Sequence, residues 1–261
     1  MKIAISNIAW SAEQDKIIYE KMMQMGFTGL EIAPTRIFLK KPYEHLDEAR
    51  KWKKDLHHQY GFEVPSMQSI WYGRTESIFG TPEERKILQS YTYQAIDFAS
   101  AIGCQNLVFG CPKNRYVPEN VNPDLAISFF QEIAAYAVLK GTVIGLEANP
   151  KLYHTNYINT TSQALALIER VSSPGFRLNL DVGTILYNQE NVLDFAKKIE
   201  YINHVHISEP KLSPIRSHET HKVLKTMLER GYKGFVSLEM TKPKKIEELL
   251  ESCIYLKEVF G

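Results

Sequence analysis

Eight short runs along the chain are apolar or alternate apolar with polar residues: KIAISNIAW, GLEIAP, VPSMQSIW, NLVFGCP, VIGLEANP, FRLNLDVGT, INHVHISEP and FVSLEMT. These predict strands, and the stretches between them carry apolar residues at helical spacing. The runs recur every ~25 to 40 residues, the usual length of one βα unit. The helical stretches open on start signals. Ser11 with Gln14 and Thr81 with Glu84 fit a capping box, and Pro82 and Pro123 fall at the first helical position, where the missing N–H costs nothing. Gly26, Gly61, Gly103, Gly141 and Gly231 follow helical patterns, as left-handed C-caps do. Eight consecutive units in 261 residues predict an α/β chain forming a single-domain (β/α)8 TIM barrel over residues 1–261. An open doubly wound sheet would call for G-x-G-x-x-G after the first strand, and none is present.

Within a barrel strand, residues alternate between the interior and the helix layer. If the apolar set faces the helices, Leu146, Ala148, Leu180, Val182, Val205, Ile207, Leu238 and Met240 point out. Glu147, Asn149, Asn179, Asp181, His204, His206, Ser208, Ser237 and Glu239 then point in. Strands five to eight therefore bring Glu147, Asp181, His206 and Glu239 toward the C-terminal mouth, where barrel active sites are built. Taken singly, an inward Glu is explained by a salt bridge and an inward His by a hydrogen bond. Three carboxylates in one small volume repel one another and lose hydration, and a divalent cation relieves both penalties. The donor set is hard and oxygen-rich, which favours one Mn²⁺, with Mg²⁺, Co²⁺ or Zn²⁺ also accommodated.

Composition narrows the remaining classes. Lys and Arg number 31 against 30 acidic residues, and the densest basic run, Lys51 to Lys54, encloses Trp52, so neither a nucleic-acid nor a membrane partner is expected. Cys104, Cys111 and Cys253 are odd in number and lack C-x-x-C spacing, which predicts reduced thiols and a cytoplasmic setting. MKIAISNIAW reads as a strand, not as a signal peptide. A homo-oligomer is compatible with the sequence.

GLEANP, LNLDVG, HVHISEP and VSLEM, on the fifth to eighth strands, resemble the motifs of the xylose isomerase-like, sugar phosphate isomerase/epimerase superfamily of TIM barrels. Its members include ketose 3-epimerases, hydroxypyruvate isomerases, inosose dehydratases and apurinic endonucleases. The similarity spans essentially the whole chain, from ISNIAW to SLEM. It implies a metal held by Glu147, Asp181, His206 and Glu239, with His204 one layer deeper as a support. Two departures stand out. Thr184 occupies the position three residues after the sixth-strand Asp where many members carry His, and KLSPIRSHETH lacks the common D-R pair, leaving Arg216 and His218 for a related role.

The resemblance implies proton abstraction next to a carbonyl through a metal-bound enediolate, with Glu147 and Glu239 as the paired acid and base. The substrate expected is a small sugar, either a ketose or a keto-polyol; the lack of an evident phosphate-binding glycine loop favours an unphosphorylated one over a sugar phosphate. Asn7, Trp10, Glu31, Gln68, Trp71, Asn149, His154, Glu209, Arg216 and His218 are candidates for substrate contact. Trp10 and Trp71 read equally well as packing under loops, and Tyr43, Tyr72 and Tyr153 read as packing. His45, His57, His58 and His221 lie on predicted helices and read as surface residues. A keto-inositol or keto-sugar dehydratase is the second reading, with His218 or Glu209 as acid over a departing hydroxyl. A sugar-binding barrel without catalysis is the non-enzymatic alternative, and an abasic-site nuclease is opposed by Thr184 and the near-neutral charge.

Overall fold

A computed structural model describes residues 1–261. Its strands are β1 (Lys2–Ser6), β2 (Gly29–Glu31), β3 (Ser66–Met67), β4 (Asn106–Phe109), β5 (Val143–Leu146), β6 (Phe176–Asp181), β7 (Ile202–Ile207) and β8 (Phe235–Leu238). All pair in parallel, in the order β2-β1-β8-β7-β6-β5-β4-β3. Single bridges Gly29↔Glu63 and Ile32↔Met67 join the two ends, and the Gln68 N–H donates to the Ile32 carbonyl at 2.8 Å. The sheet thereby comes round as a (β/α)8-type TIM barrel with helices outside.

The alternation seen in sequence sets its cross-section. Leu146, Leu180, Val205, Ile207, Leu238 and Met240 are buried in the hydrophobic core between strands and helices. Inside the barrel, an amide layer fills the lower half. Asn106 Nδ2 donates to Ser66 Oγ at 3.0 Å and to Asn179 Oδ1 at 3.2 Å, and Asn203 Nδ2 donates to Asn106 Oδ1 at 2.8 Å. Gly145 makes room for that layer, because a Cβ there would stand 2.4 Å from Asn106 Oδ1.

Thr81 caps the helix Pro82–Ile102 as expected: the Glu84 N–H donates to its Oγ1 at 3.2 Å and the Thr81 N–H donates to Glu84 Oε2 at 2.8 Å. Gln14 accepts from the Ser11 N–H, but the pair opens a 3-10 turn, Ala12–Gln14, ahead of the helix Asp15–Gln24. Five expectations are corrected. The third run contributes only Ser66–Met67 to the ladder, since Pro65 has no N–H and Ser69 turns the chain with φ 55°. Pro123 lies before the helix Leu125–Leu139 and not at its first position, while Gly231 lies beyond Glu219–Leu228 without a left-handed φ. His221 is buried, its Nδ1 2.9 Å from the Tyr255 hydroxyl, because its helix turns that face to Ile246–Phe260. Tyr72 is exposed, whereas Tyr43 packs inside with its hydroxyl donating to the Ile70 carbonyl at 2.8 Å. No helix is long and apolar enough to cross a membrane.

Candidate functional site

Four neighbouring strands each deliver one side chain to the C-terminal mouth. Glu147 follows β5, Asp181 closes β6, His206 stands one residue from the end of β7, and Glu239 follows β8. Register makes them meet. A shift between Leu178 and Asn179 sets Asn179 opposite His204 and Asp181 opposite His206. One ligand atom from each of Glu147, Asp181, His206 and Glu239 falls within 4.8 Å of the others.

His206 is the hub. Its Nδ1 lies 3.1 Å from both Glu147 Oε2 and Glu239 Oε2, and its Nε2 lies 2.8 Å from Glu31 Oε2. A proton on Nε2 donated to Glu31 leaves Nδ1, the nitrogen aimed among the carboxylates, as the one that would serve a cation. His204 sits one layer deeper, its Nε2 2.8 Å from Ser237 Oγ and 3.2 Å from Glu31 Oε2. Glu31, His204 and His206 form a second compact cluster, fully inside the barrel.

The carboxylates are individually braced. Asp181 Oδ2 accepts the Thr184 N–H at 2.8 Å and lies 2.7 Å from the Thr184 hydroxyl, while its Oδ1 accepts from Ser208. Gln68 Nε2 donates to Glu239 Oε1 at 2.8 Å and to Ser6 Oγ at 3.0 Å. Glu147 accepts from Asn149 Nδ2 and Asn179 Nδ2, each at 2.9 Å.

Charge is in excess here. Burial pushes the Glu239 carboxyl up to about 7, against the pull of His206 and with a further push from Glu147. Burial and Glu147 likewise raise Asp181. Burial alone would lower His206, yet Glu31 and Glu239 hold it well above the ordinary imidazole range. All three shifts favour bound protons, which offset the negative charge, and a divalent cation would compete with those protons for the site. Two buried carboxylates, the half-buried Asp181, one imidazole nitrogen aimed among them and the 4.8 Å spread fit such an ion.

A cavity of about 190 Å³ opens over the cluster. It is lined by Glu147, Asp181, Glu239, Gln68 and Asn149 and also by Val108, Pro112, Leu212 and Tyr153. Residues 19–259 match the family model described as xylose isomerase-like TIM barrel. The chain belongs to this family.

Three solved structures illustrate the likeness. D-psicose 3-epimerase from Clostridium cellulolyticum, with D-tagatose, is 15% identical over 100% of both chains with a TM-score of 0.79. The 3-keto-D-glucoside 4-epimerase from E. coli is 18% identical over 99% of both chains, at 0.77. An AP endonuclease, family 2, from Brucella melitensis is 17% identical over 99% of both, at 0.75. At these identities the likeness establishes the fold of the xylose isomerase-like family and no more. No curated protein sequence matches the chain.

The remaining sequence-derived candidates divide. Gln68 and Asn149 line the cavity. His154 is exposed beside it, on an open depression shared with Lys151, Tyr187 and Lys211. Asn7 is buried and accepts the Ala33 N–H at 2.8 Å, tying β1 to the chain after β2. Trp10 and Trp71 are buried outside the cavity lining, their indole N–H groups donating to Asp15 Oδ1 at 2.7 Å and Thr92 Oγ1 at 2.9 Å. Glu209 accepts the Arg216 N–H at 2.9 Å and pairs with His218 Nε2 at 2.7 Å, while the Arg216 side chain is exposed. None of those three lines the cavity.

Tyr153, expected to pack, instead forms part of the cavity wall, with its hydroxyl accepting the Lys211 N–H at 3.1 Å. Glu31, expected at the substrate, instead lies buried outside the cavity lining and holds His206. Its place between outward Leu30 and Ile32 was a usable signal, by the same alternation that exposed Glu147. Arg115 and Leu212 lie in loops, where no periodicity marks them.

Proposed function

We propose that the protein is a divalent-metal-dependent isomerase or epimerase of a ketose or keto-polyol, working by proton transfer at the carbon next to a carbonyl. The observation that carries this reading is the convergence of Glu147, Asp181, His206 and Glu239 beneath a cavity that both glutamates line. The donor set favours Mn²⁺, and a bound ion would supply Lewis acidity and a template for neighbouring carbonyl and hydroxyl oxygens.

The chain's own residues account for the rest. Glu147 and Glu239 enter from β5 and β8, so they can reach a bound substrate from different sides, one removing a proton and the other returning it. Return to the opposite face of the same carbon inverts a stereocentre, and return to the adjacent carbon interconverts aldose and ketose. Gln68 and Asn149 keep the two carboxylates from rotating and present amide groups to hydroxyls. Val108, Pro112 and Leu212 add apolar lining that limits water in the cavity. The epimerases among the similar structures support the same chemistry. For the dehydratase reading, an acid is needed over the leaving hydroxyl, and the Glu209–His218 pair stands outside the cavity lining.

An NMR deuterium wash-in screen of ketoses and keto-polyols in D₂O with Mn²⁺ tests the proposal. Wild-type protein should exchange the hydrogen next to the carbonyl of at least one compound, and Glu147→Gln and Glu239→Gln should each abolish it. Exchange at the wild-type rate in either variant would refute the two-base assignment.

A further inference from the structure

Arg115 is fully buried, yet its guanidinium contacts carbonyl and amide oxygens instead of a carboxylate. Removing an unpaired guanidinium from water is costly, so a fold that keeps one uses its donors for something. Nη1 donates to the Glu147 carbonyl at 2.9 Å and Nη2 donates to Asn149 Oδ1 at 2.7 Å, with a longer 3.5 Å approach to the Ile158 carbonyl. Burial lowers the guanidinium to about 10, which leaves it charged at neutral pH.

A guanidinium has donors only, so the Asn149 atom facing it must be the oxygen. The amide nitrogen is then turned the other way, where it donates to Glu147 Oε1 at 2.9 Å. Without Arg115 the amide could flip and set its oxygen against the Glu147 carboxylate. Both ends of this relay are anchored. Arg115 ends the turn Pro112–Arg115, whose Asn114 Nδ2 donates to the Glu76 carbonyl at 2.8 Å and the Arg74 carbonyl at 3.2 Å. The Asn149 backbone is held by its N–H to the Ile158 carbonyl at 3.0 Å and by Asn159 Nδ2 donating to its carbonyl at 2.8 Å.

We infer that Arg115 is a positioning residue, acting through Asn149 to fix the carboxylate of Glu147. The inference rests on the reading of Glu147 as a ligand and base of the site. It adds that the loop after β4, which supplies no ligand, sets the geometry of the ligand on β5. A purely structural Arg115 would join the two loops without governing how Glu147 is aimed.

Mn²⁺ binding, followed by electron paramagnetic resonance, separates the two roles. The proteins are wild type, Glu147→Gln, Arg115→Met, Arg115→Lys, Asn149→Leu and the Arg115→Met/Asn149→Leu double variant, each checked for folding by circular dichroism. Arg115→Met and Asn149→Leu should each weaken Mn²⁺ binding about 10- to 100-fold, the range for residues that orient ligands. Because they lie on one relay, the double variant should be no weaker than the worse single by more than about twofold. Arg115→Lys, which keeps the charge and an N–H donor group without the planar fork, should recover part of the loss and covers the case in which Arg115→Met fails to fold. Wild-type affinity in folded Arg115→Met, or in Arg115→Lys if only that variant folds together with Asn149→Leu, would overturn the inference, as would multiplicative losses in the double variant. If wild type itself binds no Mn²⁺, the metal reading fails, and the relay is decided by the ¹⁵N-resolved Asn149 side-chain amide. Its protons should exchange slowly in wild type and at least tenfold faster in the folded Arg115 variant, and an unchanged rate would refute the relay.

Discussion

An imidazole can serve a cation through only one nitrogen at a time, and the other nitrogen decides which. In His206 that decision falls to Glu31, whose carboxylate is fully buried and lies 2.8 Å from Nε2. Burial acts to raise the Glu31 carboxyl, but His206 and His204 outweigh it and keep it below the ordinary carboxylate range. Glu31→Gln removes the charge and allows an amide N–H to face Nε2, which would drive the proton to Nδ1. The expected result is a 10- to 100-fold weaker Mn²⁺ affinity, measured by calorimetry, with the fold retained. In HVHISEP the resemblance implies His206 as the ligand and His204 as a support. The tertiary structure adds Glu31, which arrives from a strand remote in sequence and meets His206 at the mouth while His204 lies beside Ser237.

At the scale of elements, the same period-2 alternation that orients β5 to β8 fails where elements are short or their contacts are helical. β3 retains two residues, and the helix Glu219–Leu228 buries a histidine that the sequence reads as a surface residue. Burial pushes His221 down to about 4, with His218 adding to the effect. In the unfolded chain the same ring takes a proton near its ordinary 6.5, so as pH falls from 6.5 to about 4 the unfolded state binds the extra proton first. Stability associated with His221 is thus present above that window and lost through it, by roughly 2 to 3 kcal/mol. Denaturant titrations should show a smaller acid loss for His221→Phe than for wild type. An equal slope between pH 6.5 and 4 would mean that other groups carry the acid transition.

On the scale of the whole molecule, the barrel brings like charges together and a cation should hold them. Mn²⁺ should raise the Tm, because an ion bound only by the folded state stabilises it by about 2.7 kcal/mol at a hundredfold excess over Kd. A chelator should reverse the rise, and Asp181→Asn should remove most of it in a thermal-shift titration. An equal Tm rise in Asp181→Asn would assign the stabilisation to another site. Eight-fold recurrence of βα units made the barrel legible in sequence, and the inward phase of Glu147, Asp181, His206 and Glu239 followed from their apolar neighbours. Tyr153, Leu212 and Arg115 were not legible as site residues, since loops carry no period and their direction depends on what they meet.

Strand number, strand order and the face on which each strand residue lies are local properties, carried by side-chain alternation and by the short connections of successive βα units. The sequence determines these by itself. What tertiary structure alone decided is which inward groups touch: the register shift between β6 and β7, the reach of Glu31 across to His206, and the clamp of Arg115 on Asn149. Those contacts join residues far apart in the chain, and a hydrogen bond only a few ångströms long exists or not according to how every intervening element packs.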